Sequence, residues 1–144
     1  MAAPGDEFSM RLRRAYLSMH RRANANFARY GVTADQFVAL TALASRGGLT
    51  QQELVRACYS DPNTVRALLE RLERQELVIR EPHATDRRAR VASLTERGRA
   101  LQRELWAFNE SLQNELEGLF EPAELRAFLD GLDRIAHAMT SLPH

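Results

Sequence analysis

The sequence predicts a mainly helical α+β domain, and three observations support this prediction. Apolar residues recur at alternating steps of three and four along most of the 144-residue chain, which is the spacing of one helix face. Only residues 77–80 and 90–94, LVIR and RVASL, have the short apolar pattern of strands. Because 44 % of the residues are apolar and 27 % are charged, the chain is able to bury a core of its own.

Two helices are predicted at the start of the chain. The first begins at Asp6 and ends at Gly31. Its apolar face consists of Phe8, Leu12, Tyr16, Met19, Ala23, Phe27 and Tyr30. Thr33 is a candidate N-cap for the second helix, because Gln36 follows at the position that a capping box requires. The Gly47-Gly48 pair ends this helix, whose predicted inner face is Phe37, Leu40, Thr41 and Ala44.

Two further helices follow with a short interval between them. Thr50 and Glu53 form a capping-box pattern that opens a short helix. Asp61 is then a good N-cap, and Pro62 suits the first position of the next helix. The buried stripe of that helix is Val65, Leu68, Leu69 and Leu72. Its opposite side exposes Asn63, Arg66, Ala67, Glu70 and Arg74.

A two-stranded hairpin and two long helices complete the predicted order. Pro82 and Asp86 suit the turn of the hairpin. From Thr95 onward the pattern is helical again, with a break near Pro122. The apolar faces are Leu101, Leu105, Phe108, Leu112, Leu116 and Leu119 before the break, and Leu125, Phe128, Leu132, Ile135 and Met139 after it.

Two short helices joined by a tight turn and followed by a hairpin are typical of a winged helix-turn-helix that binds DNA. Asn63 suits adenine, Arg66 suits guanine, and Thr64 suits a thymine methyl group or a phosphate. Ser60 lies where it is able to hold a phosphate, and Arg74 adds a cation to the same exposed side. Two structural alternatives remain open, since Asn63 could support the cap and Arg66 could pair with Glu70.

The predicted hairpin tip is rich in arginine. Arg87, Arg88 and Arg90 suit insertion into a narrow minor groove, although a charged tip is also often only solvated. The negative charge of Asp86 lowers the attraction of this tip for phosphate, so a loop that only binds phosphate is not favoured. We therefore interpret Asp86 as the residue that pairs with a neighbouring arginine and orients it.

Charge and composition narrow the class of protein. Formal charge is +4 over residues 1–33, +1 over residues 34–94 and −4 over residues 95–144, so the acidic end is not the surface that meets an anion. All cations are arginines, which base composition explains in large part. No signal peptide or membrane span is indicated, and the single Cys58 fits a reducing compartment, so we expect a cytoplasmic protein.

The chain resembles the multiple-antibiotic-resistance-regulator (MarR) family of winged-helix transcription factors. The resemblance is carried by TADQFVALTAL, LTQQELVRA, SDPNTVRALLERLERQELVIRE and DRRARVASLTERGRAL, and most specifically by DRR at residues 86–88 with LTERG at residues 94–98. It implies one domain over residues 1–144, with a DNA-binding lobe at residues 33–95 and dimerisation helices at residues 6–30 and 96–140. Glu76 departs from the family, which commonly has glycine there, so the helix before it is expected to end in another way.

The resemblance also implies a homodimer on a pseudo-palindromic double-stranded operator, with release by a small aromatic or phenolic ligand. Independently of the resemblance, the apolar stripes at both chain ends exceed what one small winged helix is able to cover, which indicates a dimer interface. Family members bind their ligand between the dimer helices and the DNA-binding lobe. That location implies a pocket near Tyr16, Met19, His20, Phe37, Thr41 and Trp106.

Alternative functions have weaker support. The sequence contains no phosphate loop, nucleophile elbow or helical metal motif, so we expect neither an enzyme nor a cofactor or metal site. A winged helix used only for protein contacts would expose apolar or acidic residues where Asn63, Arg66 and Arg74 stand. A redox-sensing regulator through Cys58 is the remaining alternative, although this residue follows Leu54 by one turn, as a core residue would.

Overall fold

The structure of the protein, a computed structural model, describes residues 7–141. Asp6, where the first helix was expected to start, lies outside the described residues. The elements are α1 (Phe8–Phe27), α2 (Ala34–Arg46), β1 (Leu49–Thr50), α3 (Gln51–Ala57), α4 (Pro62–Arg74), β2 (Val78–Pro82), β3 (Arg90–Leu94), α5 (Glu96–Glu117) and α6 (Pro122–Ser141). A turn of 3-10 helix, Ala28–Tyr30, follows α1. The predicted order of helices and hairpin is therefore confirmed.

The chain contains two structural units, and the division between Phe108 and Asn109 falls within α5. The first unit contains α1 to α4, the sheet and the start of α5. Its core forms where the apolar faces of these elements meet, and Leu40, Leu54, Val65, Leu69 and Leu105 are fully buried there. In the second unit Phe120, after α5, stacks on Phe128 of α6 with ring centroids 5.2 Å apart.

The sheet has three strands in the order β1-β3-β2, all antiparallel. The predicted two-stranded hairpin, β2 with β3, is therefore confirmed, and β1 adds a third strand that was not predicted. The strand β1 was missed because it has only two residues, Leu49 pairing with Ala92 and Thr50 with Val91. Pro82, expected in the turn, is instead the last residue of β2 and pairs with Arg90.

Local capping signals gave the helix starts correctly. Thr33 and Gln36 form a capping box at α2, and Thr50 and Glu53 form another at α3. Each box gives two backbone N–H groups at the helix start a side-chain acceptor, and in this way it fixes where the helix begins.

The predicted apolar faces need two corrections. Ala44 is exposed, and Leu43 takes its place on the buried face of α2. Leu119 lies beyond the end of α5 and is exposed. The buried face of α2 is therefore rotated toward Leu43 relative to the predicted one, and the predicted face of α5 was extended past Glu117, where the helix ends. None of the described helices is long and apolar enough to cross a membrane.

Candidate nucleic-acid interface

The start of α4 is fixed by its own first residues. The Asp61 carboxylate accepts hydrogen bonds from the backbone N–H of Thr64, at 2.9 Å, and from the Thr64 hydroxyl, at 2.7 Å. These bonds hold the pKa of Asp61 below its usual value, because they favour the charged form. Pro62 occupies the first turn, where no intrahelical N–H is needed. The Asp61-Pro62 pair therefore determines which residues the first turn of α4 exposes.

The predicted base-reading residues lie together on that exposed turn. Asn63, Thr64 and Arg66 are all exposed, and the Arg66 guanidinium donates to the Asn63 side-chain oxygen at 3.2 Å. Asp61 rather than Asn63 carries the cap, and Arg66 bonds to Asn63 in place of the pairing with Glu70 that was considered. Asn63 and Arg66 thus form one polar pair with free hydrogen-bonding groups, as adjacent base contacts require.

Two other predicted DNA contacts flank this pair. Ser60 precedes α4, is half-buried, and donates its backbone N–H to the Val55 carbonyl. Arg74 is exposed in the last turn of α4. Arg74 is therefore on the same helix as Asn63 and Arg66 but at its far end, three turns along.

The wing is the hairpin of β2 and β3, and residues 83–89 between the two strands form its tip. Hydrogen bonds from backbone N–H groups to side chains hold the conformation of this tip. The Asp86 carboxylate accepts from the backbone N–H of Arg88 at 3.0 Å, so it fixes Arg88 through the main chain rather than by a salt bridge to its guanidinium. His83 was missed by the sequence reasoning. Its Nδ1 accepts from the N–H groups of Thr85 and Asp86 at 3.2 and 3.0 Å, and a histidine at the start of a turn-forming segment is the only sequence signal for this role.

The three wing arginines differ in their surroundings. Arg87 and Arg88 are exposed at the tip. Arg90 donates to the Arg80 carbonyl at 3.0 Å, and Arg80 in turn forms a salt bridge with Glu73 of α4 at 2.5 Å. The base of the wing is therefore attached to α4, and its tip presents Arg87 and Arg88.

The LTERG motif holds the other end of α4. The Thr95 hydroxyl donates to the Glu76 carbonyl at 2.7 Å and accepts from the Gly98 N–H at 3.0 Å, so Thr95 caps α5 and binds the segment after α4. A Cβ at position 98 would lie 2.1 Å from the Leu77 carbonyl oxygen. Only a residue without a β-carbon permits this approach, so position 98 requires glycine.

Glu76 ends α4 in an unexpected way. Its φ is +62°, the left-handed conformation that glycine adopts easily. The N–H of Leu77 reaches the Leu72 carbonyl and the N–H of Glu76 reaches the Glu73 carbonyl, which is a Schellman motif. The expectation that α4 would end in another way was wrong, because a glutamate adopts the same conformation.

Several of the six predicted ligand residues contact one another, and their role stays a prediction. Tyr16 stacks on His20 with centroids 5.5 Å apart, and Phe37 stacks on Trp106 at 6.3 Å. Thr41 accepts a hydrogen bond from Gln102, and Met19 is exposed. His20 lines a crevice of about 550 Å³, together with Asn24, Asp35, Asn63 and Arg71 among others.

Cys58 is half-buried against the core of the first unit. Burial raises the pKa of its thiol, and the nearby Asp35 carboxylate raises it further. The thiolate that oxidation requires is therefore disfavoured at neutral pH. Among residues 7–141 there is no group of three or more His, Cys, Asp or Glu side chains that could hold a metal ion.

Comparison with known proteins gives the family. The family model of the MarR family matches residues 30–89. The transcriptional regulator HosA of Escherichia coli O127:H6 is 30 % identical over 98 residues, which cover 68 % of this chain and 73 % of HosA. The chain belongs to the MarR family. Its match to the transcriptional repressor NicR of Pseudomonas putida is 44 % identical over 70 residues, which span 49 % of this chain and 44 % of NicR.

One solved structure is similar over nearly the whole chain. BpsR of Bordetella bronchiseptica, whose DNA binding is regulated by 6-hydroxynicotinic acid, has a TM-score of 0.87 at 31 % identity and covers 94 % of this chain and 97 % of BpsR. NicR and HosA are both named as transcriptional regulators. This chain is accordingly a transcription regulator with the winged helix-turn-helix fold.

Proposed function

We propose that this protein is a sequence-specific repressor that binds a pseudo-palindromic operator as a homodimer and is released by a small aromatic acid. Residues 33–95 would form the DNA-binding lobe of a single domain over residues 1–144, and residues 6–30 and 96–140 would supply the dimerisation helices. The observation that carries the proposal is the Asn63–Arg66 pair, exposed on a helix whose start Asp61 fixes. The name of the related repressor NicR supports the sign of regulation.

The base contacts and phosphate contacts are expected on different elements. Asn63, Thr64 and Arg66 would enter the major groove, where amide and guanidinium groups recognise adenine and guanine edges. Arg87 and Arg88 would approach the minor groove or its phosphates from the wing, while Ser60, Arg74 and Arg90 would add backbone contacts. Asp86 would act indirectly, by holding the Arg88 backbone.

The ligand would bind in the crevice beside the recognition helix, which is our name for α4. This crevice brings His20 of α1 close to Asn63, Thr64 and Arg71 of α4. A carboxylate there would find Arg71 and His20 as partners, and it would contact the helix that reads DNA. Regulation of BpsR by 6-hydroxynicotinic acid makes this compound the first ligand to test. A ligand that prefers a dimer with misplaced recognition helices would lower operator affinity by population shift.

Gel-shift titration with an operator selected from random duplex DNA tests the proposal. We expect Arg66→Ala to weaken binding by about 1–3 kcal/mol and to relax sequence choice at one position. Arg88→Ala should weaken binding to all sequences and reduce the salt slope by about 1. Arg126→Ala, which removes an exposed arginine from α6, is the matched control and should bind like wild type.

The same titrations repeated with 6-hydroxynicotinic acid and other aromatic acids test the ligand.

Wild-type operator binding by both Arg66→Ala and Arg88→Ala would contradict the proposed DNA-contact residues. Failure of the purified protein to enrich any palindrome would contradict sequence-specific binding itself. A protein-contact module is less well supported, since Asn63, Arg66 and Arg74 are all exposed and none is apolar or acidic.

A further inference from the structure

Two glutamine side chains connect the end of the recognition helix to the segment between α1 and α2. Gln36 is fully buried, and its Nε2 donates to Gln75 Oε1 at 2.8 Å. Gln75 is the C-cap residue of α4, and its Nε2 donates to the Gly31 carbonyl at 2.8 Å. Gln36 Oε1 accepts from the Thr33 N–H at 2.9 Å. We call Gln36 and Gln75 with these bonds the amide relay.

A second amide connects α1 directly to α2. Asn24 in α1 accepts from the backbone N–H of Ala34 at 2.7 Å, at the first residue of α2. Together with the amide relay, this bond connects α1 to α2, α2 to α4, and α4 back to the end of the segment that follows α1. The three helices are therefore held by directional bonds at one place as well as by apolar packing.

The capping box of α2 does not account for the relay. That box needs only the Gln36 oxygen, whereas the bond from Gln36 Nε2 to Gln75 and the bond from Gln75 to Gly31 extend beyond it. Apolar side chains would fill the same space without requiring one angle between the helices, because dispersion and burial are not directional. Hydrogen bonds between buried amides require defined geometry and are costly when broken.

The relay lies at the end of α4 opposite the exposed residues, so it affects where those residues are placed. The helix has 13 residues and is about 20 Å long, and the relay holds its C-terminal end while Asn63 and Arg66 lie at its N-terminal end. A small change of angle at Gln75 therefore displaces the residues that face DNA. In a dimer formed through α1, the same angle determines the distance between the two recognition helices.

We propose that Gln36 and Gln75 are positioning residues, which hold the recognition helix at one angle to α1 and so set the half-site spacing that the dimer accepts. The inference rests on the proposed function, because spacing has a meaning only for a dimer on an operator. Neither glutamine touches DNA; both act through Asn63 and Arg66.

Spacing selectivity is the measurement that separates positioning from stability. Operators are made with the selected half-site separation and with one base pair added or removed, and each is titrated with the full-length dimer. The ratio of affinities, selected over altered spacing, is compared between variants. Loss of folded protein lowers all affinities in one sample equally, so it leaves this ratio unchanged.

Gln75→Met is the main variant, because it keeps the length of the side chain at a half-buried position. Gln36→Leu and the double variant complete the cycle. Gln102→Met is the matched control, since Gln102 also donates its amide to a side chain of α2, Thr41 at 3.3 Å, but is not connected to α4.

We expect both single variants to lower the spacing ratio by about five- to tenfold, and the double variant to lower it no further, because the two residues share one bond. Gln102→Met should keep the wild-type ratio. A wild-type ratio in Gln75→Met, or an equal loss in Gln102→Met, would overturn the inference. If wild-type protein selects no palindrome, the proposed function fails first and this inference fails with it.

Discussion

At the scale of single residues, two non-glycine residues adopt left-handed conformations on either side of the recognition helix. Tyr59 has φ of +52° before it and Glu76 has φ of +62° after it. Both follow a helix that ends in a Schellman pair of hydrogen bonds, from Tyr59 and Ser60 at α3 and from Glu76 and Leu77 at α4. A β-carbon makes this conformation costly by about 1–2 kcal/mol. The recognition helix is therefore delimited by residues that reduce stability.

Glu76→Gly is expected to raise the free energy of unfolding by about 0.5–1 kcal/mol, because relief of the left-handed strain exceeds the greater chain entropy of glycine in the unfolded state. Loss of the Arg97–Glu76 contact, 3.7 Å long with both side chains exposed, should matter little. Urea denaturation measures the change. Glu76→Ala is the control that removes the carboxylate and keeps the strain, and the idea is wrong if alanine stabilises as much as glycine.

At the scale of elements, the caps explain why each helix of the lobe starts where it does. A cap uses residues within three or four positions of one another, so Thr33, Thr50 and Asp61 were predictable from the sequence. The strand β1 was not, because two residues carry no periodicity. The Schellman end at Glu76 was not predictable either, because no glycine marks it.

The cap at α4 should make stability depend on acid pH. Because hydrogen bonds from Thr64 lower the pKa of Asp61 in the folded state, its contribution is present above the unfolded-state pKa and is lost as pH falls through the folded-state pKa. Asn is an equally good cap that does not titrate. We expect Asp61→Asn to match wild type at neutral pH and to lose less stability between about pH 5 and pH 2.

Thermal unfolding followed by circular dichroism over that range measures the difference. Asp61→Ala is the control without a cap, and it should be less stable than both at neutral pH and should bind operator more weakly. Equal losses in Asp61→Asn and wild type on acidification would show that Asp61 does not contribute through its charge.

At the scale of the whole molecule, the sequence predicted which side of a helix is exposed, but it did not predict polar contacts between residues far apart in the chain. The exposed side of α4 followed from helical periodicity, and Asn63, Arg66 and Arg74 are exposed as expected. The amide relay joins Gly31 and Gln75 across 44 positions, so no local pattern indicates it. The role of the predicted ligand residues stays a prediction, since apolar spacing does not say which side chains meet across helices.

The last helix exposes apolar side chains that a single chain leaves in water. Phe128, Leu129 and Met139 of α6 are each roughly half exposed or more. A monomeric soluble protein seldom keeps such a surface, so α6 is expected to be covered by a second copy of the chain. A charge placed in that surface would be desolvated on association, whereas the same charge on the opposite side of α6 would stay in water.

We therefore expect Leu129→Glu to raise the dissociation constant of the dimer at least about tenfold, which corresponds to about 1.4 kcal/mol. Ala127→Glu adds the same charge to an exposed position away from the apolar side of α6, and should leave the dimer intact. Sedimentation equilibrium gives the constant, and circular dichroism checks that α6 remains helical. Operator affinity should fall in Leu129→Glu in proportion to the lost dimer, because a palindrome needs two recognition helices held together. If Leu129→Glu dimerises with the same dissociation constant as wild type, this surface does not form the dimer interface and has another partner or none.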